Sequence, residues 1–69
     1  MQEDIKKLLG ENIQYYRNLR KLTQEDLAEL TDKSVETISN IERGVHAPSL
    51  ETLNEIRKVL KVKFGKLLD

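Results

Sequence analysis

The chain has 69 residues, in which 12 lysines and arginines balance 12 aspartates and glutamates and no cysteine occurs. This length makes one domain, residues 1–69, near the lower limit of what folds without disulfides, a bound metal or oligomerisation. The composition excludes disulfides, thiolate metal sites and, with one histidine, an imidazole metal site. Since no apolar run approaches the roughly 20 residues of a membrane span and no signal peptide opens the chain, we expect a cytoplasmic domain without a cofactor.

The first predicted element is an amphipathic helix over residues 3–20. Its apolar residues recur at steps of three and four, at Ile5, Leu8, Leu9, Ile13, Tyr16 and Leu19. Gly10 interrupts the helix at a cost of about 1 kcal/mol relative to alanine. We interpret this glycine as a place where another helix approaches closely.

Two short helices follow, over residues 24–31 and 35–43. Thr23 caps the first, and Asp26 three residues on makes a short variant of the capping box. Ser34 caps the second, and Gly44 can end it with a positive φ. Their predicted apolar faces are Leu27, Ala28 and Leu30 in the first helix and Val35, Ile38 and Ile41 in the second.

A fourth helix over residues 50–61 begins after Ser49, and a short fifth covers residues 64–68. The fourth is amphipathic through Leu50, Leu53, Ile56, Val59 and Leu60, and the last segment is apolar at Val62, Phe64, Leu67 and Leu68. No segment alternates as a strand does over more than a few residues. The sequence therefore predicts an all-α domain of five helices around one core.

Two capped helices joined by a tight turn can hold an outward surface against the DNA major groove. The side of the third helix that its apolar residues leave free carries Glu36, Thr37, Ser39 and Asn40. The same polar row is also typical of a solvated helix face. Residues 22–44 carry six acidic residues and two basic ones, so we expect weak non-specific binding to phosphates.

The ordered set of these residues resembles the phage repressor and Cro-like (lambda repressor-like) helix-turn-helix domains over about residues 8–68. The matching segments are LGxxIxxYR from Leu9, LTQEDLA from Leu22, SxxTISxIERG from Ser34 and PSLxTL from Pro48. The resemblance implies a five-helix transcriptional regulator, most often a repressor, that binds a double-stranded DNA operator as a dimer. Helices 2 and 3 would form the helix-turn-helix, with helix 3 in the major groove.

By the same resemblance, Ser34, Val35, Glu36 and Asn40 face base edges. Asn40 can pair bidentately with adenine, and Glu36 can accept from the amino group of cytosine. Val35, near the start of the helix, can contact a thymine methyl. The phosphate contacts expected around this surface are Thr23, Gln24, Thr37, Arg17, Arg43 and His46.

Arg17 and Glu42 match a pair in the family that ties helix 1 to the end of helix 3. The guanidinium is expected to fork to the carboxylate while leaving other donors near a phosphate. The alternative is two separate surface charges of little consequence for stability. His46, likewise, is either a short phosphate contact or a solvated loop residue.

Two departures from the family pattern fall in the turn between helices 2 and 3. Asp32 stands in place of a glycine, and aspartate tolerates the left-handed conformation at modest strain. Lys33 stands in place of an apolar residue, so either the motif loosens or the lysine stem covers the gap.

Phe64, Leu67 and Leu68 are many apolar residues for so short a tail. They either close the core or form a two-fold dimer interface. Gly65 weakens this helix, which favours a weak homodimer that forms mainly on DNA. The chain can equally be the N-terminal domain of a longer protein.

Two other classes of function compete with DNA binding. A protein-binding module of the same fold, an antitoxin or adaptor with little DNA affinity, is favoured by the acidic middle segment. An enzyme is rejected, because the chain offers no nucleophile–base pair, metal cluster or phosphate loop. It is also too small for a typical pocket, so we expect no small-molecule substrate.

Overall fold

The computed structural model describes residues 3–69 and confirms the all-helical prediction. The five helices are α1 (Glu3–Leu19), α2 (Gln24–Leu30), α3 (Val35–Glu42), α4 (Leu50–Leu60) and α5 (Phe64–Leu67). Each ends one residue before its estimate from the sequence, because in α2 to α5 the last predicted residue is the C-cap. None of the helices described is long and apolar enough to cross a membrane.

Hydroxyl side chains start α2, α3 and α4. Thr23 Oγ1 accepts the Asp26 N–H at 2.9 Å while the Thr23 N–H donates to Asp26 Oδ2 at 3.0 Å, so the capping box forms. Ser34 and Ser49 each accept the backbone N–H three residues on, at 3.0 and 3.1 Å. A cap of this kind stabilises a helix by about 1 kcal/mol and fixes where it begins.

The core draws apolar residues from all five helices. They are Leu9, Ile13, Leu27, Ala28, Ile38, Ile41, Leu53, Ile56, Leu60 and Leu67. Other residues of the predicted apolar faces are exposed instead, namely Ile5, Leu19, Leu30, Val35 and Leu50. Each of these lies in the first or last turn of its helix, where a domain this small has no neighbouring helix to cover it.

Gly10 lies where α1 crosses the C-terminal end of α3. A Cβ atom at this position would lie 2.4 Å from the carbonyl oxygen of Ile41 and 2.5 Å from that of Glu42. Both oxygens belong to the backbone, so no flexible side chain can move aside. The prediction that a second helix approaches this glycine is confirmed.

The turn that follows each of the first four helices contains a residue with positive φ, and only one of these four residues is glycine. Lys21, Asp32 and Lys61 have φ of 61°, 57° and 61°, and Gly44 has φ of 77°. In the turn between α2 and α3, the N–H of Lys33 donates to the carbonyl oxygen of Ala28 at 2.8 Å, which closes α2. A residue with a Cβ in this conformation costs about 1–2 kcal/mol.

We therefore expect Lys61→Gly to raise the free energy of unfolding by up to about 1 kcal/mol, because removing the Cβ strain outweighs the added entropy of the unfolded chain. Urea unfolding followed by circular dichroism measures the change. Lys58→Gly is the matched control, since Lys58 is exposed within the same helix. There glycine should destabilise by about 1 kcal/mol. Equal losses in the two variants would contradict the strain argument.

The structure corrects one of the three residues predicted at a dimer interface. The side chain of Leu67 is fully buried in the core, and the backbone carbonyl oxygen of Leu67 accepts a hydrogen bond from Asn12 Nδ2 at 2.9 Å. It therefore closes the core and cannot face a second subunit. Phe64 and Leu68 are 39% and 50% exposed and remain available for one.

Candidate nucleic-acid interface

The residues predicted to contact bases lie on the side of α3 that points away from the core. Ser34, Val35 and Glu36 are exposed, and Asn40 is half-buried one turn further along. We call these four residues the outer face of α3. Glu36 and Asn40 are four residues apart and are therefore neighbours on the helix surface. The opposite side of α3 is buried against the other helices.

The two hydroxyls at the start of α3 are hydrogen-bonded to each other. Ser34 Oγ accepts the N–H of Thr37 at 3.0 Å and donates to Thr37 Oγ1 at 2.9 Å. Because the Ser34 hydroxyl hydrogen is used in this contact, the Thr37 hydroxyl keeps a hydrogen to donate. This arrangement favours Thr37 as a donor to phosphate and leaves Ser34 as an acceptor.

Asn40 is paired with Arg43 at the end of the outer face. Arg43 Nη2 donates to Asn40 Oδ1 at 2.6 Å, across one turn of helix. The sequence interpretation treated the two residues as separate contacts, one to a base and one to a phosphate. The signal that could have revealed the pair is their spacing of three residues, which places the two side chains side by side.

One carboxylate, that of Glu42, joins the first three helices beneath this face. Arg17 Nε donates to Glu42 Oε2 at 2.6 Å and Arg17 Nη2 donates to Oε1 at 3.1 Å. Gln24 Nε2 donates to the same Oε1 at 3.0 Å. The side chains of Arg17 and Glu42 are 9% and 2% exposed, so the pair is internal to the fold. A buried, forked pair of this kind positions helices.

Arg17 has a structural role beside its predicted phosphate contact, which stays a prediction. Besides its two bonds to Glu42, the guanidinium donates from Nη1 to the carbonyl oxygen of Leu22 at 2.7 Å. Each of its three nitrogens thus donates one hydrogen bond within the protein, and Nη1 and Nη2 each keep a second hydrogen. Arg17 is a structural residue that holds the loop before α2 as well as the end of α3.

Thr23 and Gln24 lie at the start of α2, and Gln24 is bonded to Glu42 at the end of α3. Gln24 is half-buried, and one hydrogen of its side-chain amide is used by Glu42. The second hydrogen of that amide is still available to an outside acceptor. Thr23 is exposed, with its oxygen accepting in the cap of α2.

Acidic residues of the helix-turn-helix segment are exposed on α2 and the turn after it. Among them are Glu25, Glu29 and Asp32. Lys33 is exposed too, and the choice between a loosened motif and a covering lysine stem stays a prediction. His46 is exposed in the loop after α3, and its backbone N–H lies 3.4 Å from the Asn40 carbonyl oxygen. No cluster of His, Asp and Glu side chains among residues 3–69 could hold a metal ion.

Comparison of the sequence with known proteins agrees with the family resemblance that its residues indicated. A family model described as a helix-turn-helix matches residues 13–67. The chain is 40% identical over 65 residues to the control protein C.SmaI of Serratia marcescens, covering 94% of this chain and 77% of that protein. It is 47% identical over 51 residues to an uncharacterized helix-turn-helix-type transcriptional regulator of Methanocaldococcus jannaschii, covering 74% and 77%.

A solved structure agrees with the fold as well. The crystal structure of the clp gene regulator ClgR from Corynebacterium glutamicum superposes with a TM-score of 0.89 at 26% sequence identity. The match covers 93% of this chain and 68% of that one. Sequence and structure thus point to the same kind of domain.

Proposed function

The chain belongs to the phage repressor and Cro-like helix-turn-helix family and is a DNA-binding transcriptional regulator, and from that premise we propose that it is a cytoplasmic repressor that places α3 in the major groove of an operator. The observation that carries this proposal is the outer face of α3. Its polar and small side chains are accessible while the rest of the helix is anchored in the core. A rigid helix with one free polar side is what groove recognition requires.

In the bound state, Ser34, Val35, Glu36 and Asn40 contact base edges. Thr23, Gln24, Thr37 and His46 approach the flanking phosphates. Gln24 is supported by the amide hydrogen that Glu42 leaves free, and Thr37 by its free hydroxyl hydrogen. Phosphate contacts set the register of the helix, and the outer face supplies discrimination.

A second subunit docks through α5, at Phe64 and Leu68. The guanidinium carbon of Arg57 lies over the ring of Phe64, 5.1 Å from the ring centroid, so a positive charge sits next to this partly exposed ring. The exposed area is small for a stable interface, which supports a weak homodimer that is completed on DNA. Selected operators should then contain two inverted half-sites about one helical turn apart.

The test is in vitro selection of binding sites from randomised duplexes at low salt, followed by measured affinities for single-base variants. Asn40→Ala should remove the preference at one position of each half-site and cost about 1–3 kcal/mol. Gln24→Ala should weaken all duplexes alike, because it removes a phosphate contact. An unchanged site and affinity for Asn40→Ala would show that α3 is wrongly placed.

The alternative is a protein-binding module of the same fold, and the exposed acidic side of α2 favours it. Glu25 and Glu29 repel phosphate and suit a basic protein partner. The same selection decides between the two functions. If no sequence is enriched over the starting pool, the repressor proposal fails and the protein-binding module takes its place.

A further inference from the structure

We infer that Arg43 holds the Asn40 side-chain amide so that the pair presents mainly N–H donors to the DNA, which selects guanine over adenine at that position. The inference rests on the proposed function and names the base it recognises. It replaces the pairing of Asn40 with adenine that the sequence suggested.

The contact is built on a rigid part of the backbone. The carbonyl of Asn40 accepts the N–H of Val45 at 2.9 Å, and the N–H of Gly44 donates to the carbonyl of Ile41 at 3.1 Å. These two bonds form the closing turn of α3, in which Gly44 has the positive φ that the turn requires. Asn40 and Arg43 therefore lie within a hydrogen-bonded turn, and Arg43 Nη2 lies 2.6 Å from Asn40 Oδ1.

Occupation of Oδ1 changes what Asn40 can recognise. Bidentate pairing with adenine needs Oδ1 to accept from the adenine amino group while Nδ2 donates to N7. Here Arg43 donates to one of the two lone pairs of Oδ1 and places a positive charge beside the other, which disfavours a second, incoming donor. What remains outward is the Nδ2 group of Asn40 and the free N–H groups of the guanidinium. Guanine offers two neighbouring acceptors, O6 and N7, to such a pair of donors.

The charges around α3 favour the same assignment. Arg43 and Lys33 are the two basic residues of residues 22–44, and Lys33 lies before the other end of the helix. Arg43 is thus the cation next to Asn40 within an acidic segment. The competing role for Arg43 is release from Asn40 and simple neutralisation of a phosphate.

The two roles are separated by base preference and by salt dependence. We would determine the selected site for the wild type, Asn40→Ala, Arg43→Met, Arg43→Lys and the double variant Asn40→Ala/Arg43→Met. The position recognised by Asn40 is the one whose preference Asn40→Ala removes. Lys58→Met is the control for loss of one positive charge, since Lys58 is exposed on α4.

We expect wild type to prefer guanine over adenine at that position by about tenfold. Arg43→Met should abolish or invert this preference there and leave the other positions unchanged. In the double variant, losing Arg43 should have little further effect on the preference. Lys58→Met should leave every preference as it is.

Three results would overturn the inference. One is a wild-type preference for adenine at the Asn40 position. Another is a uniform loss of affinity in Arg43→Met, with the salt slope reduced by about one and the preference intact, which identifies a phosphate contact. In that case Arg43→Lys restores affinity, and the proposed function survives. The third is selection of no sequence by the wild type, which removes the proposed function and the inference together.

Discussion

Glu42→Ala is expected to lower the free energy of unfolding by about 3–5 kcal/mol, because it strands the buried guanidinium of Arg17 without a counter-charge. Arg17 is 7% exposed, and Gln24 loses its partner in the same step. A domain of 69 residues has a total stability of only about 3–10 kcal/mol, so this variant should be largely unfolded at 25 °C. Urea unfolding monitored by far-ultraviolet circular dichroism provides the measurement.

A double variant keeps this prediction testable if Glu42→Ala does not fold. Arg17→Met/Glu42→Leu replaces the ion pair by apolar side chains of similar volume and should recover most of the lost stability. Failure of the double variant to exceed Glu42→Ala would mean that the stranded charge is not the cause. A loss below about 1 kcal/mol for Glu42→Ala would class the pair with exposed ion pairs.

Gly10→Ala is expected to destabilise the domain by about 2–3 kcal/mol, although alanine is the better helix former. The added methyl would meet two backbone carbonyl oxygens of α3 at 2.4 and 2.5 Å, so α1 and α3 must move apart. That movement also stretches the bonds between Arg17 and Glu42. Thermal and urea unfolding should both report the loss.

Gly65→Ala is the control for the glycine at position 10. A Cβ at Gly65 would meet nothing within 4 Å, and the residue is exposed in α5. Alanine there should stabilise the helix by about 0.5–1 kcal/mol. If both substitutions changed stability by the same amount and sign, the close crossing of α1 and α3 would not be what constrains Gly10.

The helix starts could be predicted because each depends on neighbours in sequence. Thr23, Ser34 and Ser49 cap through a bond to the N–H three residues later, so a short window of sequence contains the whole interaction. The glycine at position 10 could be interpreted for a different reason: its cost in a helix is local, and only packing against another helix offsets it. Local chemistry of this kind is visible before any tertiary structure is known.

Burial at the helix ends could not be predicted, because periodicity shows which side of a helix is apolar but not how much of that side a neighbouring helix covers. Leu50 continues the apolar face of α4 and is nevertheless 79% exposed, since no helix lies over that turn. With four residues, α5 is too short for periodicity to show whether Phe64 or Leu67 faces the core. The bond from Arg43 to Asn40 was equally hidden, because spacing allows the pair but does not exclude competing contacts.

The carboxylate shared by α1, α2 and α3 also governs how this domain can open. Lifting α2, or the end of α3, away from α1 would expose an unpaired charge inside the remaining structure. We therefore expect such local openings to cost nearly as much as complete unfolding, so that the amide hydrogens of these three segments exchange as one cooperative unit. We expect DNA to meet a surface whose backbone is already set, with adaptation left to exposed side chains.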